Sequence, residues 1–155
     1  RKFYQDVVKN TWAKPIYADT SKVNTIKSES VDCIITSPPY GDSRTTVAYG
    51  QFSRLSAQWI DIFKDPNTAS SVDNQLLGGK PANDLNHSLK SSQLCESLKK
   101  IREKDKKRAK DVLSFYIGLN DCLKKAHEIL KEKKYFCLVI GNRSVKQVRI
   151  PTDFI

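Results

Sequence analysis

The sequence lacks methionine and has little glycine or histidine. Its 155 residues contain no Met, six Gly and two His. The absence of Met, even at position 1, predicts that the numbering begins inside a longer protein and that the chain is a fragment. No apolar run approaches the ~18 residues that a membrane-spanning helix needs, and residues 1–6 show no apolar signal region. We therefore expect no membrane partner and no secretion.

Metal-binding patterns are also missing. The two histidines have no ligand-like spacing to the cysteines, and no CxxC pair occurs among the four thiols, Cys33, Cys95, Cys122 and Cys137. This spacing predicts no metal site. Buried, reduced thiols are typical of a cytoplasmic protein, which is the location that we expect.

Positive charge is present in excess and is unevenly distributed. Lys and Arg number 27 against 17 Asp and Glu, a net charge of +10. Residues 99–110 alone contain eight basic and two acidic side chains, so this segment carries +6 and the other 143 residues carry +4. One interpretation is a solvated helix face. The other is contact with a nucleic-acid backbone, for which Lys106, Lys107 and Arg108 are the candidates.

Hydrophobic periodicity predicts alternating strands and helices. Helical spacing over 52–63 and 93–132 predicts two helices packed on a core, and 64–110 is expected to be a protruding loop or helical insertion. Short apolar or alternating runs predict strands at 14–19, 31–36, 135–140 and 145–150. This order indicates an α/β fold, a mainly parallel sheet with flanking helices.

The segment most informative about chemistry is Ser37-Pro38-Pro39-Tyr40, directly after an apolar strand. Two prolines cannot continue a β ladder, so the chain must leave the sheet there. Ligands of open α/β sheets bind outside the carboxyl ends of the strands. A hydroxyl and a backbone carbonyl can accept hydrogen bonds from an exocyclic amine, while a tyrosine ring stacks on the heterocycle. The alternative is an ordinary strand-to-loop turn.

The stretch VDCIITSPPYGDS at 31–43 resembles the catalytic motif of amino-methylating DNA methyltransferases, which use S-adenosylmethionine. Ser in the first motif position is typical of enzymes that methylate N4 of cytosine, whereas Asp and Asn are commoner in N6-adenine enzymes. Residues 44–59, 76–79 and 135–153 look like one bacterial N4-cytosine subgroup. The resemblance implies a partial Rossmann-like class I methyltransferase layer, with 1–155 as a single partial catalytic domain.

The resemblance also implies residue roles. Ser37 and the Pro38 carbonyl would accept hydrogen bonds from the target amino group. Tyr40 would stack on a base that has been swung out of the duplex. Asp19, predicted to end a strand, matches an acidic position near the cofactor adenine, and Arg44 is placed to reach a phosphate beside the base.

One part of the family pattern is missing, namely a Gly-rich cofactor loop after an apolar strand. The adjacent pair Gly78-Gly79 lies in a predicted loop instead. We therefore expect the methionine-binding part of the cofactor site to lie outside these residues, and this chain alone to be inactive. Asn142 and Arg143, which follow a predicted strand, are expected on the same rim as Ser37.

Three functional hypotheses follow from the resemblance. The first is an N4-cytosine methyltransferase that acts on double-stranded DNA and is partnered genetically with a restriction endonuclease. The second is an N6-adenine methyltransferase. The third is a catalytically silent nucleic-acid-binding fragment that uses the basic segment.

Overall fold

The computed structural model describes residues 11–16, 18–38, 55, 56, 59, 74 and 76–150. A short 3₁₀ turn, Thr20–Lys22, precedes strand β1, Val31–Thr36. Two helices follow, α1 at Ser92–Lys104 and α2 at Lys106–Ile129. The chain then forms strand β2, Leu130–Leu138, and a hairpin of β3, Arg143–Val145, and β4, Val148–Ile150.

Strands β1 and β2 form a parallel sheet, with Ile34 opposite Phe136 and Thr36 opposite Leu138. A bulge interrupts the register after Val31, and Lys133 in that part of β2 has a φ of 58°. Parallel strands joined through helices confirm the predicted α/β arrangement. The strand predicted at 135–140 begins earlier, because α2 ends at Ile129.

Capping side chains divide the predicted 93–132 helix into two. The Ser91 hydroxyl accepts from the Leu94 amide at 3.2 Å and begins α1. The Asp105 carboxylate accepts from the Arg108 amide at 3.0 Å and begins α2. Each cap satisfies an amide that has no partner within its helix, so the prediction of one continuous helix was wrong at Asp105.

The core lies between the two helices and the hairpin. Apolar side chains of both helices and both hairpin strands are buried there, among them Leu98, Ile101, Leu113, Phe115 and Ile150. Phe115 and Tyr116 also contact each other edge to face, with ring centroids 5.2 Å apart. The helical face predicted around 112–130 is thus the one that packs.

The loop between 76 and 91, which is part of the predicted insertion, is attached to this core. Leu77, Leu85 and Leu89 pack against it. The Ala82 amide donates to the Lys110 carbonyl at 3.2 Å. Helix α1 buries Leu94, Leu98 and Ile101, so its basic residues lie on a packed helix. The earlier part of the predicted insertion, except Asn74, lies outside the described residues.

The predicted strand at 145–150 is instead a hairpin. Val145 pairs with Val148 across a two-residue turn at Lys146 and Gln147, whose φ angles are 50° and 63°. A turn with two positive φ values matches the right-handed twist of the flanking strands, although Asn-Gly is its usual sequence. The alternating pattern was real, because Val145, Val148 and Ile150 are all buried.

Other predictions of burial were wrong. No residue of β1 or β2 is fully buried, and Cys33 and Cys137 are exposed rather than buried thiols. Leu55, Ser56 and Trp59 are helical, as predicted for 52–63, but Trp59 is 92% exposed. The rest of that predicted helix lies outside the described residues.

Candidate functional site

The candidate site lies at the carboxyl edge of the parallel sheet. Thr36 ends β1 opposite Leu138, which ends β2. One further hydrogen bond joins the two segments, from the Val139 amide to the Thr36 carbonyl at 2.9 Å. Ser37 and the residues after Leu138 therefore leave the sheet side by side, as predicted for this rim.

Ser37 and Pro38 are the motif residues that the structure describes. Ser37 is exposed and Pro38 is half-buried. Pro38 has no amide hydrogen to donate to a neighbouring strand, which explains why β1 stops at Thr36. Its carbonyl and the Ser37 hydroxyl both remain hydrogen-bond acceptors. Pro39, Tyr40 and Arg44 lie outside the described residues.

Asn142 and Arg143 reach the same rim from β2. Only four residues separate Leu138 from Arg143, the first residue of β3. Asn142 is exposed and Arg143 is half-buried. The topology therefore brings a second polar segment beside the Ser37 turn, from a part of the chain about 100 residues away.

Asp19 does not end a strand, because residues 15, 16, 18 and 19 are irregular. Its carboxylate caps the 3₁₀ turn and accepts from the Ser21 hydroxyl at 2.7 Å and the Ser21 amide at 3.0 Å. These hydrogen bonds, with Lys22 nearby, hold the pKa of Asp19 below its usual value. Asp19 therefore does not lie at the end of a strand, which was the basis for expecting it near a cofactor.

Gly78 is required for packing. Its φ is 70°, and a Cβ at this position would lie 3.1 Å from Cβ of Phe115. Gly78 thus lets the loop turn against α2, a role unrelated to a phosphate- or cofactor-binding loop. With Asp19 engaged in its own turn, the described residues do not fit a complete S-adenosylmethionine site.

The three basic candidates differ in their surroundings. Lys106 and Lys107 are exposed in the first turn of α2. The Arg108 guanidinium instead binds the carboxylate of Asp111 at 3.1 Å, and their side chains are only 17% and 4% exposed. A buried carboxylate needs such a partner, so Arg108 supports the packing of α2.

Sequence reasoning missed two basic residues that lie close to this segment. Lys146, at the hairpin turn, donates from Nζ to Asp105 Oδ2 at 3.1 Å. Arg149 is exposed on β4 opposite Ser144. The alternation around Val145 and Val148 was a signal that Arg149 faces outward, but nothing local placed the hairpin against the start of α2.

Two further features concern metals and membranes. Cys95 Sγ lies 3.8 Å from His87 Nε2, yet among the described residues no group of three His, Cys, Asp or Glu side chains is placed to hold a metal ion. No helix within those residues combines the length and apolarity needed to cross a bilayer.

Comparison with known proteins gives one informative similarity. The chain is 47% identical over 135 residues to the type II methyltransferase M.MvaI of Kocuria varians. The aligned region covers 83% of this chain but only 30% of that protein. No family model matches the chain, and no solved structure matches it.

The similarity covers most of this chain but a minor part of M.MvaI. An identity of 47% over most of this chain indicates a shared fold for the aligned part. The chain nevertheless spans less than a third of the length of M.MvaI. The activity, substrate and partners of a whole protein that contains this chain are therefore a separate question.

Proposed function

We propose that this chain is the catalytic-motif part of a DNA methyltransferase that transfers a methyl group from S-adenosylmethionine to N4 of cytosine in double-stranded DNA. The observation that carries the proposal is the position of Ser37 and Pro38 directly after a parallel strand, at the sheet's carboxyl edge. The similarity to a type II methyltransferase supports the same class of reaction. A partial Rossmann-like class I layer is the fold that we propose for the whole domain.

The chemistry follows from two acceptors and a stacking ring. The Ser37 hydroxyl and the Pro38 carbonyl accept hydrogen bonds from the amino group of the target base. These bonds orient the nitrogen lone pair and stabilise the positive charge that develops on nitrogen. Tyr40 stacks on the extruded base, and Pro39 holds the turn rigid between them. Cys33 has no part in this reaction, since no covalent nucleophile is needed.

The methyl donor contributes an electrophilic methyl group when it is bound. We propose that its methionine moiety is held by residues outside this chain, because the sequence has no Gly-rich loop after an apolar strand. Asp19, which matches the family's acidic position in sequence, is our candidate for contact with its adenine ring. Arg44 remains a candidate contact to a phosphate beside the base.

Two alternatives remain in view. N6-adenine methylation uses the same acceptor geometry, and cytosine is favoured by Ser at position 37 and by the resemblance of 44–59, 76–79 and 135–153 to an N4-cytosine subgroup. A silent nucleic-acid-binding module is the second alternative, and a Gly-rich cofactor loop missing from the whole protein that contains this chain would favour it. A restriction endonuclease as genetic partner and a cytoplasmic location belong to the first proposal.

The test is methyl transfer from labelled S-adenosylmethionine to duplex DNA by the protein that contains this chain, followed by nucleoside analysis. Ser37→Ala is expected to lower the rate by about 10²–10³, the scale for losing one preorganised polar partner. Ser28→Ala is the matched control, because its hydroxyl binds Glu128 near the opposite edge of the sheet.

Each product distinguishes the alternatives. N4-methylcytosine supports the proposal, and N6-methyladenine replaces it with the second hypothesis. DNA binding without any transfer supports the silent module. Equal rates for Ser37→Ala and the wild-type protein would reduce the motif to a structural turn.

A further inference from the structure

Nearly all of the net charge lies in two short segments that are far apart in sequence. Residues 99–110 carry +6. Residues 143–150 contain three basic side chains and no acidic one, a further +3. These 20 residues therefore hold +9 of the chain's +10, and the remaining 135 are almost neutral.

The fold joins the two segments at the start of α2. The Lys104 ammonium donates to the Lys146 carbonyl at 3.0 Å. Lys146 in turn pairs with Asp105, the residue between α1 and α2. The hairpin turn is thus held against the helix junction, and Lys106, Lys107 and Arg149 lie within a few residues of this contact.

The chain path limits how far this basic surface lies from the Ser37 turn. Lys146 lies eight positions after Leu138, the last residue of β2 at the carboxyl edge, a span of at most ~29 Å for an extended chain. DNA that presents a base at Ser37 can therefore extend over this surface.

Lysines at the opposite end of the molecule are neutralised by nearby carboxylates. Lys125 contacts Glu128 at 2.9 Å. Lys131 and Lys134 both bind Asp32, at 3.1 and 3.0 Å. Within the described residues, Lys106, Lys107 and Arg149 form no such ion pair. The charge at the hairpin end is therefore available to an external anion.

We infer that Lys106 and Lys107, together with Arg149 on the hairpin that Lys146 holds against the helix junction, form one composite surface that binds the phosphate backbone of duplex DNA. The inference rests on the proposed function for its partner and deepens it, since it adds a hairpin contact to the surface that binds DNA. Closely spaced backbone phosphates match a patch of this density, and each neutralised phosphate releases counterions. Such contacts set register and orientation without reading sequence.

The experiment measures the affinity of the 155-residue chain for a duplex DNA of arbitrary sequence over a series of salt concentrations. Lys106→Gln/Lys107→Gln is expected to reduce the slope of log affinity against log salt by about 1.8, and Arg149→Gln by about 0.9. Lys124→Gln/Lys133→Gln is the control, because it removes the same charge from exposed residues near the other edge.

The hairpin variant decides the inference. A smaller slope for Arg149→Gln, equal across unrelated DNA sequences, supports the composite surface. An unchanged slope for Arg149→Gln overturns the inference, because only the helix residues would then contact DNA. A control variant that weakens binding as much as Lys106→Gln/Lys107→Gln also overturns it, because total charge would then explain the affinity. Tighter binding to duplex RNA of the same sequence overturns the assignment to DNA.

The outcome is separable from that of the proposed function. If Arg149→Gln reduces the salt dependence of binding but the parent protein transfers no methyl group, the composite surface stands and the proposed enzyme activity is rejected. Methyl transfer combined with an unchanged Arg149→Gln slope would retain the enzyme and reject the surface.

Discussion

Leu113 and Ile35 are both branched aliphatic residues in regular elements, yet their surroundings are opposite. Leu113 on α2 is fully buried in the core that α1, α2 and the hairpin form, whereas Ile35 on β1 is 74% exposed. Tyr135, on the neighbouring strand, is 73% exposed on the same face as Cys33, with which it pairs. The helical half of the described chain is therefore packed, while its parallel sheet is open.

The difference in burial indicates that the helices and the hairpin contribute most of the chain's stability. Parallel sheets are normally covered on both faces, and their strands are then continuous apolar runs. β1 has such a sequence, VDCIIT, but lacks the cover. The candidate catalytic turn thus follows the less supported of the two regions, and packing of the helices alone does not fix its position.

The largest expected effect is in the packed half. Phe115→Ala removes a fully buried ring that contacts Tyr116 and the Gly78 loop. We expect it to lower the free energy of unfolding by about 3–5 kcal/mol, measured by urea denaturation. Phe136→Ala on the open sheet is the matched comparison, and an equal loss there would contradict the distinction between the two regions.

A smaller effect is expected at the loop that packs on α2. Gly78→Ala places a Cβ at positive φ against Phe115, and the left-handed conformation alone costs about 1–2 kcal/mol. Denaturation of Gly78→Ala and Gly79→Ala tests this, since Gly79 does not share the positive φ. Equal stability of the two variants would show that the loop can move away from α2.

The contact between hairpin and helix junction should depend on acid pH. The Arg108 amide and the Lys146 ammonium hold the pKa of Asp105 below its usual 3.8. Because the folded pKa is lowered, this stabilisation is present above 3.8 and is lost as pH falls through the lower folded value. In an NMR titration, Lys146→Gln should move the Asp105 midpoint upward, and a wild-type midpoint at or above 3.8 would argue against the contact.

The smallest effect is expected on the open face of the sheet. Ile35→Ser should change the stability of this chain by no more than about 0.5 kcal/mol, since the side chain is already hydrated. In a longer protein whose additional residues cover this face, the same substitution should cost more, because burying an Ile contributes about 1.5–3 kcal/mol. Calorimetry of both forms measures the comparison, and a large loss in this chain alone would mean that Ile35 is not exposed.

Much of the fold could be predicted from local pattern. The apolar run at 31–36 and the helical face around Phe115 were both found, because each depends on periodicity within one element. The break at Asp105 was missed, because Asp105 lies within a run of charged residues and was not recognised as an N-cap. Burial of β1 was predicted wrongly. An apolar strand sequence indicates a strand suited to burial, but it does not show which residues cover that strand.

The candidate site divides in the same way. Ser37 and Pro38 were predicted at the end of a strand, and the pairing of Thr36 with Leu138 places them at the carboxyl edge. Asp19 was misjudged, because a short irregular segment around Pro15 reads like a strand in sequence. Lys146 and Arg149 could not be grouped with Lys106, because their association depends on contacts across 42 residues.

Residue chemistry and local periodicity account for the hydrogen-bond acceptors of the candidate turn, the proline stop after β1 and the amphipathic face of α2. The pairing of Arg108 with Asp111, the positive φ of Lys146 beside Asp105 and the meeting of the basic segments depend instead on the packed fold. The physical reason is that ion pairing and strained turns depend on which distant groups the packed core brings within a few ångströms.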